Sequence, residues 1–491
     1  MKKVEFGDFQ TPLSLAQKCC ELVYKIIKPT KIIEPTCGMG SFIEASYEVW
    51  GNSVKYEGYE INNEYVDSIK KNNKNLFKIA KIKNTDFFSL DISSLLKDEK
   101  KVLLIGNPPW VTNSKLGQLS STNLPKKSNI KGLSGMDAMS GKSNFDISEW
   151  MILKLCEELA KSKGVLAMLC KTSVARNVFQ HLNKTQKQST AFKIFKIDSK
   201  KEFDVSVDAC LFVVDYLNGG EQNICETFAE LDLKSKSSKI GIIEKRVIAD
   251  LVAYSSTVNK VLGETLIPWR SGIKHDASSV MELYEADGRL LNGLDEIVDI
   301  EDEYVFPLLK SSDLANDRLK ANRYVIVTQK KVGDDTSHLK ASAPKLWKYL
   351  NKHKDKLDGR KSSIYKTQSS FAMFGLGDYS FKPFKIAISG LYKNVKFCLL
   401  KSVDGKSIMV DDTCYQLGFS SLGEAKKHLS ILESDLIFDY LRSLIFFDAK
   451  RPINTDILNS IDFAKAELHC QFKKPNKPSG KPSKSESSAT I

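Results

Sequence analysis

The residues with the most chemical content lie together at Asn107-Pro108-Pro109-Trp110, directly after the apolar run Leu103-Leu104-Ile105-Gly106. The run is short and bounded by Gly and Pro, so it reads as a buried strand of a parallel sheet. The two prolines lack N–H donors and fix φ, which ends the strand and leaves stiffly held carbonyls pointing away from the ladder. A planar ring with an exocyclic NH2 group could donate to the Asn107 side-chain oxygen and the Pro108 carbonyl while its face stacks on Trp110. Base–aromatic stacking is worth about 1–3 kcal/mol. An aromatic amine is a poor nucleophile because its lone pair is delocalised. Two acceptors pulling on its hydrogens favour a more tetrahedral nitrogen, with the lone pair free to attack. The plainer reading is a strand followed by a Pro-Pro turn and a half-buried indole, so the neighbouring elements have to decide.

Those neighbours form a series. Phe6-Gly7-Asp8-Phe9-Gln10-Thr11-Pro12 leads into a helical pattern through Tyr24, with Thr11 and Pro12 as its start signal. Thr11 is either an N-cap or a hydroxyl that meets a bound carboxylate. Lys31-Ile32-Ile33-Glu34-Pro35-Thr36-Cys37-Gly38-Met39-Gly40-Ser41 reads as a strand ending in an acid, a Gly-x-Gly turn and the start of a helix. Gly38 and Gly40 let a ligand approach the backbone. Glu34 would repel a pyrophosphate and welcome an ammonium, which shifts the ligand from a nicotinamide dinucleotide to a nucleoside carrying an amino acid. Tyr56–Asn62 is a second strand ending in an acid, Glu60, followed by Ile61; an acid at that point accepts ribose hydroxyls. Asp86 stands beside Phe87 and Phe88, suited to an adenine amino group and ring face. Any one of these acids could be a solvated strand end. Three in series before the Pro-Pro strand point to a nucleotide-binding α/β domain with its ligands at the carboxyl edge of the sheet.

The chain of 491 residues, 42% hydrophobic, is long enough for two domains. No apolar run of about 18 residues could span a membrane, and the N-terminus has no signal-peptide core. The ten cysteines form no Cys-x-x-Cys pair, so they read as reduced structural thiols of a cytoplasmic protein. The six histidines show no metal-ligand spacing, and no metal is expected. The net charge of +13 favours a polyanionic partner.

Residues 111–144 are rich in Ser, Gly, Lys and Asn, and read as a lid or nucleic-acid clamp or as a solvated insertion. A helix follows from about Ile147 to Lys161, then strands Gly164–Cys170, Phe192–Ile197 and Ala209–Tyr216, the last two an antiparallel pair at a sheet edge. Phe203 could cover the second face of a bound ring. Polar residues 219–239 suggest the end of the first domain, giving units at 1–240, a helical connector at 241–262, a second domain at 263–472 and a disordered basic tail at 473–491. The second half interleaves bases with aromatics at Pro268–His275, Tyr304–Lys310 and Phe374–Ser389, and Trp347–Arg360 reads as a basic helix. This pattern fits a DNA surface or a solvated basic face.

In this order the motifs resemble the gamma class of S-adenosylmethionine-dependent DNA adenine N6-methyltransferases of type II restriction–modification systems. The resemblance covers residues 6 to 216 and, less specifically, Trp269–Asp276, Phe374–Tyr392 and Asp411–Cys414. It implies a Rossmann-like class I methyltransferase domain with a mostly parallel sheet, followed by an α+β target-recognition domain. It implies S-adenosylmethionine as cofactor. Thr11 and Glu34, followed by Pro35, would meet its methionine end, Gly38 and Gly40 would shape the loop, Glu60 with Ile61 would take the ribose, and Asp86 with Phe87 the adenine. Asn107, Pro108, Pro109 and Trp110 would hold a flipped adenine, where the family more often has Tyr or Phe in place of Trp110. The implied partners are double-stranded DNA of one recognition sequence and a separate restriction endonuclease, with the chain acting as a monomer.

Cytosine C5 methylation needs a Pro-Cys nucleophile, which the chain lacks. Cytosine N4 methylation shares the amine chemistry, with Ser commonly in place of Asn. Protein-glutamine methyltransferases carry a similar Asn-Pro-Pro-aromatic motif without a large basic C-terminal domain. A DNA-binding protein with an inactive methylase half is the non-enzymatic alternative.

Overall fold

The computed structural model describes residues 9–111 and 146–470. The stretch Phe6–Asp8, most of the 111–144 insertion and the 473–491 tail lie outside the described residues. Two compact units form: Met1–Tyr254 with Ser443–Lys450, and Ser255–Arg442 with Arg451–Ile491.

The first unit is built on one ten-stranded sheet. Its strands are β1 (Lys31–Glu34), β2 (Lys55–Glu60), β3 (Ala80–Asn84), β4 (Val102–Gly106), β5 (Val165–Lys171), β6 (Ala191–Ile197), β7 (Ala209–Asp215), β8 (Ile224–Phe228), β9 (Ser237–Ile243) and β10 (Arg246–Ile248). Their order is β10-β9-β8-β6-β7-β5-β4-β1-β2-β3. From β3 to β5 every pairing is parallel. Beyond β5 the sheet is mixed: β7 runs antiparallel to both β5 and β6, β6 pairs β8 in parallel, and β9 and β10 are antiparallel additions.

Central strands buried on both faces read as near-continuous apolar runs; β4 is one, and β1 is likewise buried throughout, with Lys31 and Glu34 at its ends. Alternate residues serve opposite cores. Ile33, Leu104 and Leu166 join the core that contains helices Ile147–Ser162 and Thr172–Thr185. Ile32, Leu103 and Val165 join the core that contains helices Leu13–Tyr24 and Ser41–Trp50.

Three expectations shift. The antiparallel pair β6–β7 is not at a sheet edge, because β8 to β10 extend the sheet past it. The polar stretch 219–239, read as a domain end, contains β8 and enters β9, and the expected boundary at 240 falls inside β9. Residues 241–262 hold the end of β9, β10 and the helix Leu251–Val261, within which the units divide.

The second unit carries two further sheets. One contains β11 (Arg270–Ser271), β16 (Phe384–Ser389), β17 (Phe397–Lys401) and β19 (Cys414–Phe419); the other contains β12 (Glu282–Ala286), β13 (Arg289–Asn292), β14 (Val305–Leu309), β15 (Arg323–Ile326) and β18 (Met409–Val410). With its helices this is α+β. The three stretches that carry the weaker resemblance meet here: Ile273 N donates to the Val410 carbonyl and Gly272 N to that of Cys414, while Lys274 and Phe374 exchange backbone bonds. The basic helix expected at 347–360 is two helices, Pro344–Lys352 and Lys354–Asp358, broken at His353. Lys352 is neutralised by Glu296 at 2.9 Å.

All ten cysteines are free thiols, nine of them buried. Among the described residues no helix is long and apolar enough to cross a membrane, and no group of three His, Cys, Asp or Glu could hold a metal ion.

Candidate active site

The carboxyl ends of β1, β2 and β4 carry Glu34, Glu60 and Gly106. Strand β1 lies between β2 and β4, so these three ends converge. A Cβ placed on Gly106 would stand 3.3 Å from Glu34 Cγ, which puts the Glu34 side chain against the residue that precedes Asn107. Glu34 is 3% exposed and its Oε2 has no hydrogen-bond partner. Burial pushes its carboxyl well above the ordinary range; the backbone N–H of Ile43 works the other way, and the nearby Glu60 adds to the rise. A buried carboxylate with one free oxygen is a site for a cation that can replace lost water.

The turn after Glu34 is held from the second strand. Cys37 N donates to the Tyr59 carbonyl at 2.8 Å, and Gly38 N donates to Glu60 Oε2 at 2.8 Å. The other Glu60 oxygen accepts from Asn62 N at 2.8 Å. Glu60 is thus fixed by amides on both sides. Gly38 and Gly40 sit at φ +51° and +85°, in the left-handed region where side chains are strained. Ile61, beside Glu60, is exposed.

Asp86 follows β3 and accepts from Phe88 N at 3.0 Å, capping a short turn. The fold ties this turn to β2, since Thr85 N donates to the Glu60 carbonyl at 2.8 Å. Phe87 is not a free ring face. It is 3% exposed and packs edge-on to Phe88 and Trp150.

At the Pro-Pro turn, both donors of the Asn107 amide are engaged. Nδ2 donates to the Phe9 carbonyl at 3.0 Å and to Thr11 Oγ1 at 3.2 Å. Its acceptor, Oδ1, is buried with no partner. Buried polar atoms are satisfied in the great majority of cases, so this oxygen marks a place for an external donor. The amide flip is set by the Phe9 carbonyl, which can only accept.

Thr11 does not cap its helix. The helix starts at Leu13 with Pro12 at the cap position and no side-chain cap bond, and the buried Thr11 hydroxyl faces Asn107 instead. Trp110 also differs from expectation. It is 6% exposed, its indole N–H points to the Leu169 carbonyl at 3.4 Å, and its ring meets Phe9 at 5.7 Å and Phe203 edge-on at 5.3 Å between centroids. The expected neighbour Phe203 is in place, but it packs on the indole directly.

Phe9, Gln10 and Lys171 carried no expected role and yet belong to this site. Gln10 Oε1 accepts from Met39 N at 3.0 Å, so residues 9–11 lace the glycine turn to the Pro-Pro turn. Lys171, the last residue of β5, reaches the Trp110 carbonyl at 3.4 Å and pairs with Asp146. The adjacency of residues 9–11 to the Thr-Pro signal was the one available hint for Phe9 and Gln10; Lys171 had none.

These residues fit S-adenosylmethionine. The orphaned, buried Glu34 oxygen suits its ammonium, and Glu60 and Asp86 follow on successive strand ends.

No protein-family model matches the chain. It is 46% identical over 467 residues to the type II methyltransferase M.NspV of Nostoc sp., covering 94% of this chain and 96% of that protein. A shorter match, 39% identical over 85 residues, covers 17% of this chain and 20% of the type II methyltransferase M.CvrRI of Paramecium bursaria Chlorella virus XZ-6E. Among solved structures, the type IIL restriction-modification enzyme MmeI in complex with DNA is similar with a TM-score of 0.53 at 12% identity, covering 93% of this chain and 65% of the MmeI chain. That likeness extends over both units, so the fold is a Rossmann-like class I methyltransferase domain followed by an α+β domain.

Proposed function

The chain belongs to the type II methyltransferases, and from that premise we propose that it methylates the exocyclic N6 of adenine within one double-stranded DNA sequence. It is the protective half of a restriction–modification system whose endonuclease is a separate chain. Support comes first from the buried, unpartnered Asn107 Oδ1, an acceptor waiting for a planar amine. The likeness to MmeI, solved with DNA, and the net charge of +13 fit a polyanionic substrate.

In this reading S-adenosylmethionine, when bound, supplies an electrophilic methyl on a sulfonium. Glu34 takes the ammonium of its methionine end near Thr11 and Pro35, Gly38 and Gly40 admit the backbone approach, Glu60 beside Ile61 orients the ribose, and Asp86 at the Phe87 turn accepts from the adenine amine. Asn107 Oδ1 and the Pro108 carbonyl accept the two hydrogens of the target amine and raise its nucleophilicity. Pro109 keeps that turn rigid, and Trp110 meets the ring of the base. The base must leave the duplex, at a cost of a few kcal/mol, offset by contacts from basic residues of the second unit. By fixing the orientation of the target amine, the Asn107–Trp110 turn would supply part of the rate.

The test is incubation of purified protein with tritiated-methyl S-adenosylmethionine and unmethylated genomic DNA, followed by digestion and separation of nucleosides. Label in N6-methyladenosine, absent with Asn107→Ala, is the expected result. Label in N4-methylcytosine would keep the amine chemistry and change the base. No label in DNA, with cofactor binding intact, would overturn the DNA reading.

A further inference from the structure

The Pro-Pro turn poses a support problem that the active-site residues named so far do not solve. Pro108 and Pro109 donate no backbone hydrogen bonds, and the β4–β5 ladder ends at Gly106, opposite Met168. Trp110, past that end, must be located by something else. The end of β5 does it from two directions: the Leu169 carbonyl accepts the indole N–H, and Lys171 Nζ lies 3.4 Å from the Trp110 carbonyl.

The ammonium of Lys171 is itself fixed. It pairs with Asp146, whose side chain is 5% exposed, and the lysine side chain is 23% exposed. Asp146 Oδ1 accepts from the hydroxyl of Ser148 at 2.7 Å and from its N–H at 3.2 Å at the start of helix Ile147–Ser162. Ile147 N in turn donates to the Val111 carbonyl at 2.9 Å. Trp110-Val111 and Asp146-Ile147 are therefore joined twice, once by backbone and once through Lys171.

We infer that Lys171 is a positioning residue for methyl transfer, its ammonium holding the Trp110 carbonyl against Asp146 so that the Asn107–Trp110 turn keeps its shape during the reaction. The inference rests on the proposed function of that turn. Two features make the role specific to a charged donor. The carbonyl and the carboxylate both need donors, and an ammonium has three. A lone cation beside a site that receives a sulfonium would oppose cofactor binding, and Asp146 cancels that charge.

The full chain carrying K171M or K171R is compared with wild type for S-adenosylmethionine affinity by calorimetry, kcat and KM for DNA, and fluorescence of 2-aminopurine placed at the target base. K171M is expected to lower kcat by about 10–100-fold, the scale of a misplaced reacting group, with cofactor affinity unchanged and an altered 2-aminopurine signal. K171R, which keeps the charge and donors, is expected to restore most of kcat. Wild-type kcat in K171M, or an equal loss in K171M and K171R accompanied by lost cofactor binding, would overturn the role. The nitrogen-15 indole resonance of Trp110, identified by its absence in W110F, gives a reading independent of activity: it must shift in K171M and return in K171R. If wild type transfers no methyl to DNA, the proposed function fails while this resonance still reports on the Lys171 support, and an unmoved resonance ends it.

Discussion

Asn107→Asp separates the two halves of one amide. The substitution keeps an acceptor where Oδ1 stands and removes both hydrogens that Nδ2 gives to Phe9 and Thr11. The Thr11 hydroxyl can rotate and donate to the new oxygen, so that bond is recoverable. The Phe9 carbonyl has no hydrogen to offer, so it loses a donor and faces an anion. An acceptor stranded in this way costs about 1–3 kcal/mol, more beside a charge. That corresponds to about 5–150-fold in rate if the loss falls on the transition state. N107D is therefore expected to lose kcat about as severely as N107A although it retains the acceptor. Cofactor affinity should fall as well, because residues 9–11 also brace the Gly38–Met39 turn through Gln10. The assay is single-turnover methyl transfer with calorimetric cofactor binding, repeated from about pH 8 down to about pH 5, a range that approaches the ordinary carboxylate pKa of about 4. Protonation of the introduced carboxylate restores one donor, so the N107D rate should rise relative to wild type as pH falls. N107D activity close to wild type at the alkaline end would refute the claim that the donors of Asn107 organise the site.

Three further perturbations follow from Glu34, Gly38 and Lys385. Because burial raises the Glu34 carboxyl above its ordinary value, the unliganded protein holds a proton there that the unfolded chain releases above about pH 4.3. Its contribution to stability is complete below that pH and is lost as pH rises through the folded-state value; thermal melts should show E34Q gaining on wild type as pH increases. An ammonium ligand needs the carboxylate, so wild-type cofactor affinity should strengthen over the same rise in pH, and E34Q should lose that dependence in calorimetry. Gly38→Ala adds a Cβ 2.7 Å from Gln10 Oε1 at a φ of +51°; cofactor affinity should drop, and adding Q10A should relieve the clash but leave about 1–2 kcal/mol of backbone strain. Lys385 is fully buried on β16, donates to the Ser380 and Ile408 carbonyls at 2.5 and 2.6 Å, and is pushed down to about 7 by burial. A neutral amine can keep both bonds. Wild-type stability should therefore rise relative to K385M from about pH 7 towards about 10.4, the unfolded value, and a flat difference in chemical denaturation across that range would contradict it.

The strand ends that bring Glu34, Glu60 and Asp86 to one edge of the sheet were legible because their signals are local. Glu34, Gly38 and Gly40 lie within one strand-turn-helix passage, and Glu60 and Asp86 repeat the same punctuation at later strand ends. Strands β8 and β9 were hidden for the converse reason. Near the sheet edge they leave several positions exposed, five of seven in β9 being exposed or half-buried. A stretch with few apolar positions reads as linker in sequence, although its backbone completes the ladder of β6. The antiparallel pairing of β6 with β7 was expected and is present, whereas the parallel pairing of β6 with β8 was not, since strand order there depends on connections that hydrophobic pattern does not encode.

Trp110 shows why motif chemistry and side-chain placement are separate questions. In sequence the indole reads as an open stacking face because it follows a rigid turn. A buried indole needs an acceptor for its N–H, and nothing near Trp110 in sequence advertises the Leu169 carbonyl that provides one. The same holds for Asn107, whose donors find Phe9 and Thr11 far back in the N-terminal segment. The acceptor that the chemistry requires was inferred from the residue type alone. Its availability is a different fact, and it follows from the N-terminal segment taking both hydrogens and leaving Oδ1 bare. With Phe9 and Phe203 already against the Trp110 ring, a base stacking on that indole has to displace one of them. Both rings are partly buried, but Phe9 is tied through its own carbonyl to Asn107, whereas Phe203 ends a five-residue helix. Under the proposed function the displacement would fall on Phe203, the ring whose movement leaves the hydrogen bonds of Asn107 intact.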